Sequence, residues 1–131
     1  MVRNAERRTL LSDAAVRVLA QQGSRGLTHR AIDAEAKAPR GTASNYFASR
    51  DEIIDAILLR ISERLQPDPD IHADLAQRPP GVELFTEYLR DIVHRLTDNR
   101  DAAIALFELR LEATRRPVSY THLTLPTTPS V

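Results

Sequence analysis

Arg40, Thr42, Ser44, Asn45 and Tyr46 stand close together in one short run, Pro39-Arg40-Gly41-Thr42-Ala43-Ser44-Asn45-Tyr46-Phe47. A guanidinium, hydroxyls and a carboxamide are the groups that hydrogen-bond phosphate oxygens and the edges of bases. Arg40 and Arg50 flank the run with positive charge, the hydroxyls of Thr42 and Tyr46 suit phosphate, and Gly41 lets the backbone come close to a DNA strand. The chemistry offered is recognition and not catalysis. The four histidines, His29, His72, His94 and His122, fall in unrelated elements, and no nucleophile, acid pair or phosphate loop accompanies them. An enzyme is not expected, nor a cofactor. The bland alternative is a solvated surface helix between two amphipathic ones.

Two short helices and a tight turn must position these groups. Thr28 is a good N-cap and Ala31 to Ala36 are nearly all good helix formers, which predicts a helix over about Thr28 to Ala36. Lys37, Ala38 and Pro39 break it, because proline disfavours helical geometry just before itself yet suits the first position of a new helix. The second helix is therefore expected from Pro39 or Arg40. It would run for roughly two turns, about 12 Å, close to the width of the major groove. The whole stretch from Leu27 to Phe47 reads as a helix-turn-helix.

With Thr28-x-Arg30-x-Ile32 followed by Pro39-Arg40-Gly41-Thr42-Ala43-Ser44-Asn45-Tyr46-Phe47-Ala48-Ser49-Arg50-Asp51, the chain resembles the DNA-binding domain of TetR-type one-component transcriptional regulators. It is most similar to a branch whose recognition helix ends in Ser-Asn-Tyr-Phe. The likeness is strong over about residues 7–65 and looser to about Pro117. It implies phosphate contacts from Thr28, Thr42, Tyr46 and Arg50, and base or groove contacts from Arg30, Arg40, Ser44 and Asn45. It also implies a homodimer on a palindromic operator of double-stranded DNA, a repressor released by a small-molecule effector, and a fourth helix that transmits the effector's signal. Two positions depart from the family: Lys37 stands where the turn usually has glycine, and Ala38 where valine is usual. A left-handed backbone at Lys37 would be strained.

The 131 residues suffice for a modest domain or for one small domain and part of another. Net charge is zero, but residues 1–50 hold nine basic and four acidic side chains, a balance of +5 that leaves −5 for the remainder. A basic head on an acidic body fits DNA binding by the head alone. The chain has no cysteine, no apolar run long enough to span a bilayer and no signal peptide, which makes the cytoplasm the expected compartment.

Met1 to Glu6 reads as a flexible arm, with Arg3 reaching a minor groove as the less favoured alternative. Arg7 to Gln22 is a helix with Leu11, Ala14, Ala15, Val18 and Leu19 on one face, stopped by Gly23. Ile32 and Phe47 are assigned to the core. Ser49 and Glu52 form a capping-box pattern that opens a helix carrying Ile53, Ile54, Ile57, Ile61 and Leu65. The fold class is thus all-α, a three-helix helix-turn-helix head (1–65, including a linking fourth helix) joined to a partial helical regulatory domain (66–117).

Gln66 to Gly81, rich in proline, is expected to be a linker with at most a short helical turn around His72 to Gln77. Asp68, Asp70 and His72 fit no recognised metal-ligand spacing, and no metal is expected. Val82 to Thr97 is amphipathic: Phe85, Leu89, Ile92, Val93 and Leu96 lie on one side, Glu87, Asp91 and His94 on the other, facing water. Asp101 to Arg116 carries a wide apolar surface and calls for neighbours on more than one side, which the sequence does not supply. Val118 to Val131 has no charged residue, is dense in Thr and Pro, and reads as a non-native or disordered tail. A foreign tail would mean a regulatory domain cut short of its dimer-forming helices. The alternative function is a helical ligand-binding or protein-interaction module without DNA binding.

Overall fold

The computed structural model describes residues 2–115. Its helices are α1 (Val2–Gln22), α2 (His29–Ala36), α3 (Thr42–Tyr46), α4 (Arg50–Arg64), α5 (Pro69–Ala76), α6 (Val82–Asp98) and α7 (Arg100–Arg115), with a 3₁₀ turn at Ser24–Gly26 between α1 and α2. No strand occurs among the described residues. The expected tail, Val118 to Val131, lies outside them, as does the side chain of Arg3.

α1 begins at Val2, so the expected flexible arm is helical backbone. Nothing between Asn4 and Arg8 breaks a helix, and Ala5, Glu6 and Arg7 propagate one. The helix stops at Gly23, whose φ of 75° needs no Cβ and whose amide still donates to the Leu19 carbonyl at 2.9 Å. Its apolar stripe, Leu11, Ala14, Ala15, Val18 and Leu19, is fully buried.

That stripe is the floor of one core. Ile32, Ala43, Phe47, Ile53, Ile54, Ile57 and Ile61 pack on it, as do Ala102, Ala105 and Leu109 of α7. The neighbours that α7 requires are therefore α1 and α4, and small side chains at 102 and 105 let it approach them closely. α4 is opened by Ser49, whose hydroxyl accepts from the Glu52 amide at 3.3 Å, while the Glu52 carboxylate reaches back to the Ala48 amide. Ion pairs then tie the far end of α4 to its neighbours: Arg60 to Asp13 of α1 at 2.8 Å, and Arg64 to Asp101 of α7 through two hydrogen bonds, one of 3.1 Å.

Two expectations for the second half are corrected. The presumed linker contains α5, because Pro69 sits at the first helical position and the Asp68 carboxylate caps the Asp70 amide at 2.8 Å. α6 faces the other way from its amphipathic reading: Val82, Phe85, Leu89, Ile92 and Val93 are exposed, and Asp91 turns inward. Asp91 accepts from Arg95 at 3.0 Å and pairs with His72 of α5 at 3.2 Å, and Arg95 donates to the Leu65 carbonyl at the end of α4 at 2.8 Å. These bonds, with the edge contact of the His72 and Tyr88 rings, seat α6.

The hydrogen bonds from Arg64 hold the Asp101 carboxyl below the usual carboxylate range. A carboxyl with a depressed folded pKa stabilises the fold above its unfolded value, about 3.9, and loses that contribution as pH falls through the folded value. Asp101→Asn is therefore expected to be less stable than the parent by a constant margin from about pH 8 to pH 5, the gap closing below about pH 4. Urea unfolding across that range measures it; a gap that persists undiminished into acid would contradict the assignment.

Candidate nucleic-acid interface

The turn between α2 and α3 starts with Lys37 in the left-handed region, φ 57° and ψ 37°, the sole non-glycine residue with positive φ among those described. The strain expected at this position is present, and two backbone bonds hold it. The Ala38 amide donates to the Asp33 carbonyl at 2.9 Å and the Lys37 amide to the Ala34 carbonyl at 3.2 Å, the paired closure of a Schellman cap.

The other half of the turn is organised by the side chain of Asp33, which is only 4% exposed. One carboxylate oxygen accepts from the Gly41 amide at 2.8 Å, the other from the Ala43 amide at 2.7 Å. Both amides belong to the start of α3, where a negative charge meets the positive end of the helix dipole. Gly41, at φ 95°, is the N-cap. The helix accordingly begins at Thr42, later than the expected Pro39 or Arg40, and spans five residues in place of about two turns.

Ala43 and Phe47 fix the inner side of α3 in the core, each fully buried. Its exit is held by two residues that carried no sequence signal. Arg8 donates to the Tyr46 carbonyl at 3.0 Å with its guanidinium 5.0 Å from the centroid of the Phe47 ring, and His29 Nε2 donates to the Phe47 carbonyl at 2.8 Å. Arg17 pairs with Glu35 at 3.2 Å and adds a link between α1 and α2.

The residues expected to meet DNA divide into two groups. Arg30, Arg40, Ser44 and Asn45 are exposed, and their side chains have no partner among the described residues, so their donors and acceptors remain available there. Thr28 is exposed too; its oxygen caps α2 by accepting from the Ala31 amide at 3.0 Å, which leaves its O–H to donate. Arg25 and Lys37 are further exposed cations on the 3₁₀ turn and the helix-helix turn. The second group is engaged within the protein. Thr42 donates its hydroxyl to the Pro39 carbonyl at 2.6 Å, and the Gly41 amide is bound to Asp33. Tyr46 is half-buried against the core. Arg50 turns inward to the Ser24 and Leu27 carbonyls.

A buried face carrying Ala43 and Phe47, an outer face of polar side chains and a clamped left-handed turn make a helix-turn-helix, and the sequence comparisons agree with it. Residues 11–57 match the family model for bacterial regulatory proteins of the tetR family, and residues 80–123 match the tetracyclin repressor-like C-terminal domain. The chain belongs to the TetR family. Among solved TetR-like structures, the multidrug binding protein EbrR complexed with imidazole is 32% identical, with 89% of this chain and 64% of that one covered and a TM-score of 0.67. A TetR family member from Streptomyces coelicolor A3 is 30% identical, covering 90% of this chain and 69% of that one, with a TM-score of 0.64. EbrR complexed with proflavin is 30% identical, with 89% and 68% covered and a TM-score of 0.55. The chain thus spans 64% of the length of the first of these. A comparison with curated proteins finds no match.

Removing the Asp33 carboxylate leaves two amides at the start of α3 without an acceptor. Asp33→Ala is expected to destabilise the fold by about 3 kcal/mol, and Asp33→Asn, which keeps one acceptor oxygen, by about half as much. Equilibrium unfolding in urea distinguishes these values from the near-neutral result of a solvated acid.

Proposed function

We propose that this TetR-family chain is a sequence-specific DNA-binding regulator, a ligand-responsive repressor that acts in the cytoplasm as a homodimer on a palindromic operator. In this reading residues 1–65 form the DNA-binding head and residues 66–117 form part of the regulatory domain. The observation that carries it is the outer face of α2, α3 and the turn between them: Arg30, Ser44 and Asn45 on the helices and Arg40 in the turn stand exposed, their side chains without partners among the described residues, while the inner faces of the helices pack into the core. Side chains free to bond and backbones unable to move are what base reading requires.

Arg40, Ser44 and Asn45, with Arg30, read base edges in the major groove; Thr28 and Tyr46 bond phosphates. Thr42 joins them once its hydroxyl turns from the Pro39 carbonyl, and Gly41 contributes by removing bulk, since its amide is held by Asp33. A dimer places two such faces about 34 Å apart, one turn of the duplex, so operator and protein share a two-fold axis.

A small-molecule effector is supported by the family and by a cleft of about 700 Å³ among α4, α5 and α6, lined in part by Glu63, Pro67, Ile71, Asp91 and Arg95. Its floor includes Arg95, which binds the last turn of α4. An effector seated there acts on the helix that begins beside the DNA. The coupling is reciprocal, so the effector binds the operator complex more weakly than the free protein. No helix among the described residues is long and apolar enough to cross a membrane.

The test is selection of duplexes from a random pool by this chain over a salt series. The expected outcome is enrichment of a palindrome. Arg30→Ala, Arg40→Ala or Asn45→Ala then changes the enriched sequence, and Tyr46→Phe weakens all duplexes alike. Binding without any enriched sequence would refute base reading, and the absence of binding would favour an interaction module.

A further inference from the structure

Arg50 is the first residue of α4, half-buried, and its guanidinium turns onto the backbone that precedes α2. One terminal nitrogen donates to the Leu27 carbonyl at 2.9 Å; the other donates to the Ser24 carbonyl at 2.9 Å and to the Ser24 hydroxyl at 2.7 Å. These acceptors flank the 3₁₀ turn that leads directly into Thr28, the cap of α2. Leu27 itself is buried. The fixed planar fork of arginine is suited to holding two acceptors at once, which the single ammonium of lysine cannot reproduce.

We propose that Arg50 is a positioning residue for DNA binding: it fixes the backbone that sets the start of α2, and with it Thr28 and Arg30, and does not itself neutralise a phosphate. This inference rests on the DNA-binding reading of the chain. It assigns Arg50 a role that its position beside the recognition helix conceals. A second observation gives the latch a partner. Arg50, Ser24 and Thr28 line an open cleft of about 630 Å³ together with Glu108 and Arg115 of α7, and a Cβ at Gly23 would lie 3.5 Å from the Glu108 carboxylate. The segment held by Arg50 is therefore one that α7 also abuts, besides α1 and α4.

A phosphate contact and a positioning contact respond differently to a change that keeps the charge. Lysine replaces arginine at a phosphate as a point charge. The experiment measures the affinity of the parent chain, Arg50→Lys, Arg50→Ala and Ser24→Ala for a duplex enriched from the random pool, across a salt series. Positioning predicts that Arg50→Lys and Arg50→Ala both weaken binding about tenfold with an unchanged salt slope, and that Ser24→Ala weakens it a few-fold although the guanidinium is intact.

Parental affinity for Arg50→Lys with a slope reduced by about 0.9 for Arg50→Ala would overturn the proposal in favour of a phosphate contact. Amide exchange in the unliganded protein supplies a readout independent of DNA. Faster exchange at Ala31, whose bond to the Thr28 hydroxyl reports the cap, is expected in Arg50→Lys. Unchanged exchange there would also overturn it. Failure of the parent to bind any duplex would instead refute the DNA-binding reading itself and take this role with it.

Discussion

Asp33 joins α2 to α3 with two oxygens on two amides, and the geometry of the candidate interface follows from that bond pair. A helix of five residues is far below the length at which helices persist alone in water, since nucleation costs more than so few bonds return. α3 exists because its first turn is held by a buried carboxylate, its inner face by Ala43 and Phe47, and its last carbonyls by Arg8 and His29. The same carboxylate occupies the positive end of α3, so a DNA phosphate cannot take that place. On this face the groups left open to an anion are side chains and the start of α2. The left-handed Lys37 belongs to this arrangement: a residue type that resists the conformation is kept in it by the Schellman bonds on one side and the Asp33 clamp on the other.

α4 is anchored to the same region at its start and to α1 and α7 at its end. Arg50 ties its first residue to the turn before α2, Arg60 and Arg64 tie its last turns to α1 and α7, and Ile53, Ile54, Ile57 and Ile61 bury the length between. Fifteen residues of helix span about 22 Å and are held at both ends. α7 lies against the same core and reaches both regions, through Asp101 at one end and Glu108 near Gly23 toward the other. The head and the following helices therefore share packing, and not merely a connection.

How much of this was legible follows from the range over which each cause acts. Thr28 and Ser49 announced α2 and α4 because a cap bonds an amide two or three residues away, and the apolar stripe of α1 repeats within its own turns. The delayed start of α3 was not legible, since the carboxylate that captures Gly41 and Ala43 sits eight and ten residues upstream on a helix where it resembles any solvated acid. α5 was missed for a different reason: Pro69 was weighed as a breaker, whereas after the capping Asp68 it starts a helix. Arg8 acts on a carbonyl 38 residues away and Arg50 on carbonyls 23 and 26 residues away. A guanidinium near a DNA-reading segment has the same sequence signature whether it faces phosphate or backbone.

α6 separates the shape of a helix surface from its orientation. Periodicity identified its two faces correctly, yet Val82 is 80% exposed and Phe85 63%, while Asp91 keeps only 10% of its side chain in water. Apolar burial at about 25 cal/mol per Å² would favour the reverse. The orientation is instead set by Arg95 on the Leu65 carbonyl, by Asp91 shared between Arg95 and His72, and by the edge contact of His72 with Tyr88 at 5.5 Å. Charged groups brought out of water bring little net stability, because desolvation offsets most of their attraction. What they fix is direction: a guanidinium satisfying the end of α4 has one place to stand, and the rest of α6 turns with it.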